Sequence, residues 1–325
     1  VKIVKSLMVS TIMVSMLATG CAQESKQSDE NWLDPKLKDV KVEAPAMIQF
    51  KQTYQDPQVI DKSMQTPRGL GYDARQDALY IADPKSSKVM KWQHGKLETF
   101  LTSGSGKENV ATPVTVRVDS QGRLWVLDGA ASMVKVFDEN GKYQFGITLD
   151  EKSLITTMGI DDQEHAYVGF KDHVVKYDAD GKRAHVFAEP MVSSITMYND
   201  MVYFLRNEAI VKDQAGNEEK FDNGFVKYSL DGSGKQELPA PERSGIGQLV
   251  VNPVDNQLYA WDVDKRLIQL DSEGNILTTH YDYFGGNKYE VRFRSEFGLA
   301  MVFDKNGSIY TTKEVQGELI QLLAK

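Results

Sequence analysis

The sequence predicts an all-β chain: a six-bladed β-propeller of four-stranded antiparallel blades, its ring closed by an N-terminal strand. Three observations predict it. An aliphatic–aromatic pair recurs six times, apolar columns of period two precede each pair, and Asp/Gly turn chemistry separates the short strands.

The pairs are Leu79-Tyr80, Leu124-Trp125, Ala166-Tyr167, Val202-Tyr203, Leu258-Tyr259 and Ile309-Tyr310. Each follows an apolar strand ending in Asp73, Asp119, Asp161, Asn199, Asn252 or Asp304. One residue before that end stand Tyr72, Val118, Ile160, Tyr198, Val251 and Phe303. Three before it stand Leu70, Val116, Met158, Thr196, Leu249 and Met301. Such alternation marks strands with one face committed to a core. In the turns "DSQG", "DENG", "DADG", "DSEG" and "DKNG", Asp accepts bonds from the chain and Gly supplies positive φ. Third and fourth strands follow, as in "MVKVFDENGKYQFGI" and "LIQLDSEGNILTTH". The sixth unit stops at its third strand, "ELIQLLAK". Residues 46–54, "AMIQFKQTY", have no blade of their own and read as the missing outer strand that closes the ring.

Ahead of the propeller, residues 6–18 form a short apolar run behind Lys2 and Lys5. It is too short to span a bilayer as a helix and has the form of a secretory signal peptide. Leu17-Ala18-Thr19-Gly20-Cys21 resembles the bacterial lipobox, with Ala18 where a larger aliphatic is more usual. Cys21 is the single cysteine of the chain, so it has no partner for an internal disulfide, and the resemblance implies that it is lipidated. The expected organisation is a signal peptide over residues 1–20, a lipidated Cys21 with a polar tether over 21–44, and the propeller over 45–325. The expected location is extracytoplasmic, on the cell membrane or outer membrane through the lipid anchor. The net charge is −8, and removal of Lys2 and Lys5 takes it to −10. That balance argues against nucleic acid and against an electrostatic hold on anionic lipid. A monomer is expected.

"TPRGLGYDARQDALYIADPKSSKVMKW" and "TPVTVRVDSQGRLWVLDGAASMVKVFDENG" resemble NHL-type repeats. Over residues 66–323 the chain resembles the NHL/TolB-like six-bladed propeller superfamily, which implies a fold and leaves function to the sites. In the lactonase branch (gluconolactonase and SMP-30-like proteins) a Glu, an Asn and an Asp from separate blades hold a metal at the top of the tunnel. The corresponding strand entrances here carry Arg68, Val114, Thr156, Ser194, Gly247 and Leu299. Pro67-Arg68-Gly69 stands where that branch shows Pro-Asn-Gly, and Glu296 is the nearby carboxylate. One carboxylate does not make a divalent site. No metal, cofactor or catalytic residue is therefore assigned.

His94, His165, His173, His185 and His280 are scattered and show no ligand spacing. "YDADGKR" has the look of a calcium loop, lacks its later carboxylates and reads as a hairpin. Asp83, Asp128 and Asp262 end second strands, where they either rim a binding face or cap loops by accepting backbone N–H bonds. Arg117 is the one charged residue in the first-strand columns. It either lines the tunnel and meets an anion or pairs internally with an Asp. Three long loops fall on one face: residues 102–112, 207–224 and 282–296. The last combines Tyr283 and Phe284 with Arg292, Arg294 and Glu296, a mixture favoured at recognition surfaces. The candidate ligand-binding set is Arg68, Arg117, Tyr283, Phe284, Arg292, Arg294 and Glu296. The expected function is binding of a protein partner or small ligand; the alternatives are a lactonase-type hydrolase and a scaffold subunit of an envelope complex.

Overall fold

The computed structural model describes residues 54–325 apart from 56, 152, 213–217, 223, 239–245, 263–266, 274 and 281–299. Cys21, the leader and the tether lie outside the described residues. So do Tyr283, Phe284, Arg292, Arg294 and Glu296.

A first strand, β1 (Gln58–Asp61), precedes the blades. Blade one is β2 (Gly69–Asp73), β3 (Ala78–Asp83), β4 (Lys88–Gln93) and β5 (Lys96–Leu101). Blade two is β6 (Pro113–Val118), β7 (Leu124–Asp128), β8 (Met133–Phe137) and β9 (Tyr143–Thr148). Blade three is β10 (Ile155–Ile160), β11 (Ala166–Phe170), β12 (Val174–Tyr177) and β13 (Arg183–Phe187). Blade four begins with β14 (Val192–Tyr198) and β15 (Met201–Arg206). A separate hairpin, β16 (Ala209–Lys212) and β17 (Glu218–Phe221), intervenes before β18 (Gly224–Ser229) and β19 (Gln236–Leu238) complete that blade. Blade five is β20 (Ile246–Asn252), β21 (Gln257–Asp262), β22 (Leu267–Leu270) and β23 (Ile276–His280). Blade six is β24 (Met301–Phe303), β25 (Ile309–Lys313) and β26 (Glu318–Leu322), with β1 as its outer strand. The described residues thus form six four-stranded antiparallel blades, and no helix occurs among them.

The ring is closed by an N-terminal strand as expected, but at a different place. The strand on β26 is Gln58–Asp61, with Val59 opposite Ile320; of the expected strand, residues 46–54, Tyr54 forms an isolated bridge with Ala324. Its remaining residues lie outside those described. The short Gln58–Asp61 segment carries a weak apolar pattern, which is why the richer "AMIQF" run drew the assignment.

Apolar second strands fill the spaces between blades. One buried cluster sits at each blade junction, such as Trp125, Leu127 and Val136 with Met158 and Val168 between blades two and three. Another, Ile81, Leu70 and Leu319, seals blade six to blade one. The repeated aromatic of the second strand contributes large apolar area, and in blades two, three and five its polar tip finds a partner on a turn acid. Trp125 Nε1 donates to Asp119 at 2.8 Å, Tyr167 OH to Asp161 at 3.1 Å, and Tyr259 OH to Asp255 at 2.6 Å. The same turn acids cap the hairpins: Asp304 Oδ1 accepts the N–H groups of Asn306 and Ser308.

Blade four corrects one column of the repeat. Its first hairpin is closed by Asn199 and Asp200, with φ of 49° and 59°. Two successive positive-φ residues between paired Tyr198 and Met201 make the tight two-residue turn of type I′. The other hairpins with an Asp/Gly turn are longer, so alignment on Asn199 is off by one. Ile195, opposite Phe204, takes the column position given to Thr196, and Met197 takes the one given to Tyr198. Thr196, the polar outlier of its column, faces the tunnel instead.

Candidate functional site

The six innermost strands line a central tunnel with two chambers, of about 300 Å³ and 320 Å³. Cross-strand register defines its rings. Opposite the repeated aromatics stand Gly71, Arg117, Gly159, Thr196, Val250 and Val302. Below this ring the lower chamber is walled by Tyr72, Val118, Ile160, Met197, Val251 and Phe303, an apolar set apart from the Tyr72 hydroxyl. That hydroxyl is engaged, donating to Asp77 at 2.6 Å. Above the ring the upper chamber is mixed, with Thr115, Thr157, Ser193, Asn207 and Gln248 on its wall beside Val114, Met191, Val192 and Ala300.

The upper chamber owes part of its lining to β-bulges. Register shifts occur at the start of the innermost strand in blades two, three, four and five, between Pro113/Thr115, Ile155/Thr157, Val192/Ser194 and Ile246/Gln248. The extra residue of a bulge is turned away from the ladder. Val114, Thr156 and Ser193 are those extra residues, and all three line the upper chamber. This corrects one expected entrance residue. Ser193, not Ser194, faces the cavity; Ser194 is fully buried and exchanges hydrogen bonds with the Leu249 backbone.

Arg68 stands at the upper chamber, where its Nε donates to Glu314 at 2.6 Å. Its charge is therefore matched at the rim. Arg117 is not matched. Its Nη1 donates to Val116 O at 2.8 Å, Thr115 Oγ1 at 3.0 Å and Leu70 O at 3.4 Å, and no carboxylate faces it among the described residues. Between the two open alternatives, the tunnel position is the one found. Burial alone pushes the Arg117 pKa down to about 10, which leaves it protonated at neutral pH. Gly71 of blade one allows the close approach at its level; a Cβ there would sit 3.4 Å from the Arg117 backbone.

Gln248 is the residue that sequence reasoning missed. Its Oε1 accepts the Met301 N–H at 2.7 Å, which fixes the amide so that its NH₂ remains free of protein partners among the described residues. Gln248 and Arg117 each line both chambers, and their blades, five and two, are opposite members of the ring. The signal was present: in "IGQLVVN" Gln248 interrupts the apolar run that leads to the turn residue Asn252, the same kind of anomaly that singled out Arg117.

Two of the carboxylates that end second strands, Asp83 and Asp128, cap loops; the side chain of Asp262 lies outside those described. Asp83 accepts the N–H groups of Gln65 and Thr66 at 2.9 and 2.8 Å. Asp128 accepts those of Ala111 and Thr112, both at 2.9 Å, and pairs with buried Lys135 at 3.0 Å. The equivalent Arg206 of blade four is buried against Glu189 at 2.6 Å, and Tyr228 and Lys235 also bind that carboxylate. In "YDADGKR", Asp178 accepts the Asp180 and Lys182 N–H groups, so the segment is a hairpin turn. No cluster of His, Cys, Asp and Glu with metal-holding geometry occurs among the described residues.

No family model matches the chain, and no curated protein matches it by sequence. Solved structures do resemble it. A streptogramin B lyase superposes with a TM-score of 0.55 at 12% identity, over 83% of this chain and 97% of that one. A catalytically inactive virginiamycin B lyase from Staphylococcus aureus with quinupristin gives 0.59 at 15%, over 84% and 99%. A gluconolactonase from Xanthomonas campestris gives 0.59 at 12%, over 83% and 89%. At such identities the likeness is one of fold: the chain is a six-bladed β-propeller of the architecture those proteins share.

Proposed function

We propose that this protein is a lipid-anchored, extracytoplasmic binding propeller that takes a small-molecule ligand into its central tunnel. The observation that supports the binding role is the unmatched Arg117 lining both chambers of the tunnel. A part-buried cation without a counter-charge costs stability, and a site retains one where a ligand meets it. The anchor rests on the lipobox-like Leu17–Cys21 segment. Cys21→Ser is expected to move the protein from the membrane fraction to the soluble fraction and to abolish labelling by radioactive palmitate; unchanged fractionation and labelling would remove the anchor.

The enzyme reading is favoured by the names of the fold neighbours, two lyases and a gluconolactonase. Against its metal-dependent form stands the chemistry of the mouth. The charged residues lining the two chambers, among those described, are Arg68, Glu314 and Arg117, a net positive set that repels a divalent cation. Native mass spectrometry with metal analysis, on protein purified without chelator, separates the two. A metal-free protein that retains a small molecule is the expected result. A stoichiometric divalent metal would make it a hydrolase candidate, to be assayed on lactones.

A further inference from the structure

We propose that Arg117 and Gln248 form a donor-only neck that holds the head group of a carboxylate ligand, with an apolar tail of that ligand occupying the lower chamber. The inference rests on the tunnel-binding reading above and names the ligand class.

The neck presents two kinds of donor and no competing acceptor of its own. Arg117 has spent Nη1 on Val116, Thr115 and Leu70, which orients the guanidinium and leaves Nε and Nη2 without protein partners among the described residues. A guanidinium edge with free donors matches a carboxylate. Gln248 adds an amide NH₂ from the opposite blade, its orientation locked by Met301 N–H. The charge count agrees. Arg68 and Glu314 neutralise each other at 2.6 Å, so among the described residues the two chambers carry one excess positive charge, which calls for one negative charge.

The two chambers set the direction. Above the neck hydroxyls and amides share the wall with Val114, Met191, Val192 and Ala300, whereas below it the side chains of Val118, Ile160, Met197, Val251 and Phe303 form one continuous hydrocarbon set. A ligand with its carboxylate at the neck gains by laying a tail on that set. At about 320 Å³ the lower chamber is at the small end of ligand pockets, which suits a short unbranched tail.

Octanoate is the probe, titrated by calorimetry into the full-length protein, with octanol as the neutral control and acetate as the tail-less control. Octanoate is expected to bind at one site per chain, and both controls at least about tenfold more weakly. Arg117→Met is expected to weaken octanoate by about tenfold or more and to leave octanol unchanged. The same variant is expected to match or exceed the parent's thermal midpoint without ligand, because it removes an unmatched buried charge. A lower midpoint together with intact octanoate binding would make Arg117 structural and overturn the proposal. Gln248→Leu provides a second variant that leaves the charge in place and is expected to weaken octanoate by a smaller factor. Equal binding of octanol overturns the anion neck, and equal binding of acetate overturns the tail. If octanoate fails while native mass spectrometry finds another small molecule in the tunnel, this inference alone falls. If no small molecule of any class binds, the tunnel-binding reading falls with it.

Discussion

Single side chains in this fold divide into those that close an account locally and those that do not. Asp128 belongs to the first group. It is fully buried, accepts two loop N–H groups and pairs with Lys135, which is 2% exposed. Removing one partner of such a pair strands the other, so Asp128→Ala is expected to cost about 3 kcal/mol or more in denaturant unfolding. Adding Lys135→Met should recover most of that loss, since the stranded charge is then gone. A cost below about 1 kcal/mol for Asp128→Ala would contradict the capping role. Gly159 is decided by space. A Cβ there would lie 2.5 Å from Ile195 Cγ2, so Gly159→Ala is expected to destabilise by about 1–3 kcal/mol, measured the same way. Arg117 belongs to the second group, and the feature that makes it costly is the one that gives it a use.

At the scale of elements, two hairpins and one closure carry tests. The turn of blade four places Asp200 at φ 59°, where a side chain is strained and Gly is not. Asp200→Gly creates the Asn-Gly pair that type I′ turns favour and is expected to raise stability by up to about 1 kcal/mol in thermal unfolding; a loss would show that the Asp side chain has another role. Gly317 stands before β26 at φ +65°, and a Cβ there would fall 2.0 Å from Met64 O, just beyond β1. Gly317→Ala therefore strains the closure of blade six. Limited proteolysis is expected to cut near Gln58–Asp61 in this variant sooner than in the parent. Equal protection would mean that β1 contributes little to the seal. The bulges at the innermost strands of blades two to five act in the opposite sense, spending a ladder position to turn Val114, Thr156 and Ser193 into the mouth.

Across the whole molecule, the tyrosines packed into the second strands make the ring sensitive to alkali. Burial, with Asp73, Glu273 and Asp304 nearby in turn, pushes Tyr80, Tyr203 and Tyr310 up to about 12. These phenols hold their protons in the folded state beyond the ~10 at which they ionise when unfolded. Their contribution to stability is thus complete below about pH 10 and is lost as pH rises through about 12. Phenolate absorbance and the loss of β circular dichroism are expected to rise together over that window. Phenolate formation well ahead of unfolding would show these tyrosines to be exposed.

What the sequence determined by itself was everything governed by periodicity and turn chemistry. The alternation of Leu70 and Tyr72, or Val116 and Val118, specifies strands with a committed face, and six copies specify six blades, because each blade must cover its neighbour. Arg117 was legible as an anomaly for the same reason: a charge breaks an apolar column visibly. The tertiary structure alone decided the rest. It alone shows that among the described residues no carboxylate pairs with Arg117, that Gln248 lines the same two chambers from the opposite blade, and that Ser193 rather than Ser194 faces the cavity. A bulge or a two-residue turn shifts register by one position without altering composition. In a strand that single step exchanges the side chains that face the tunnel for those that face the core.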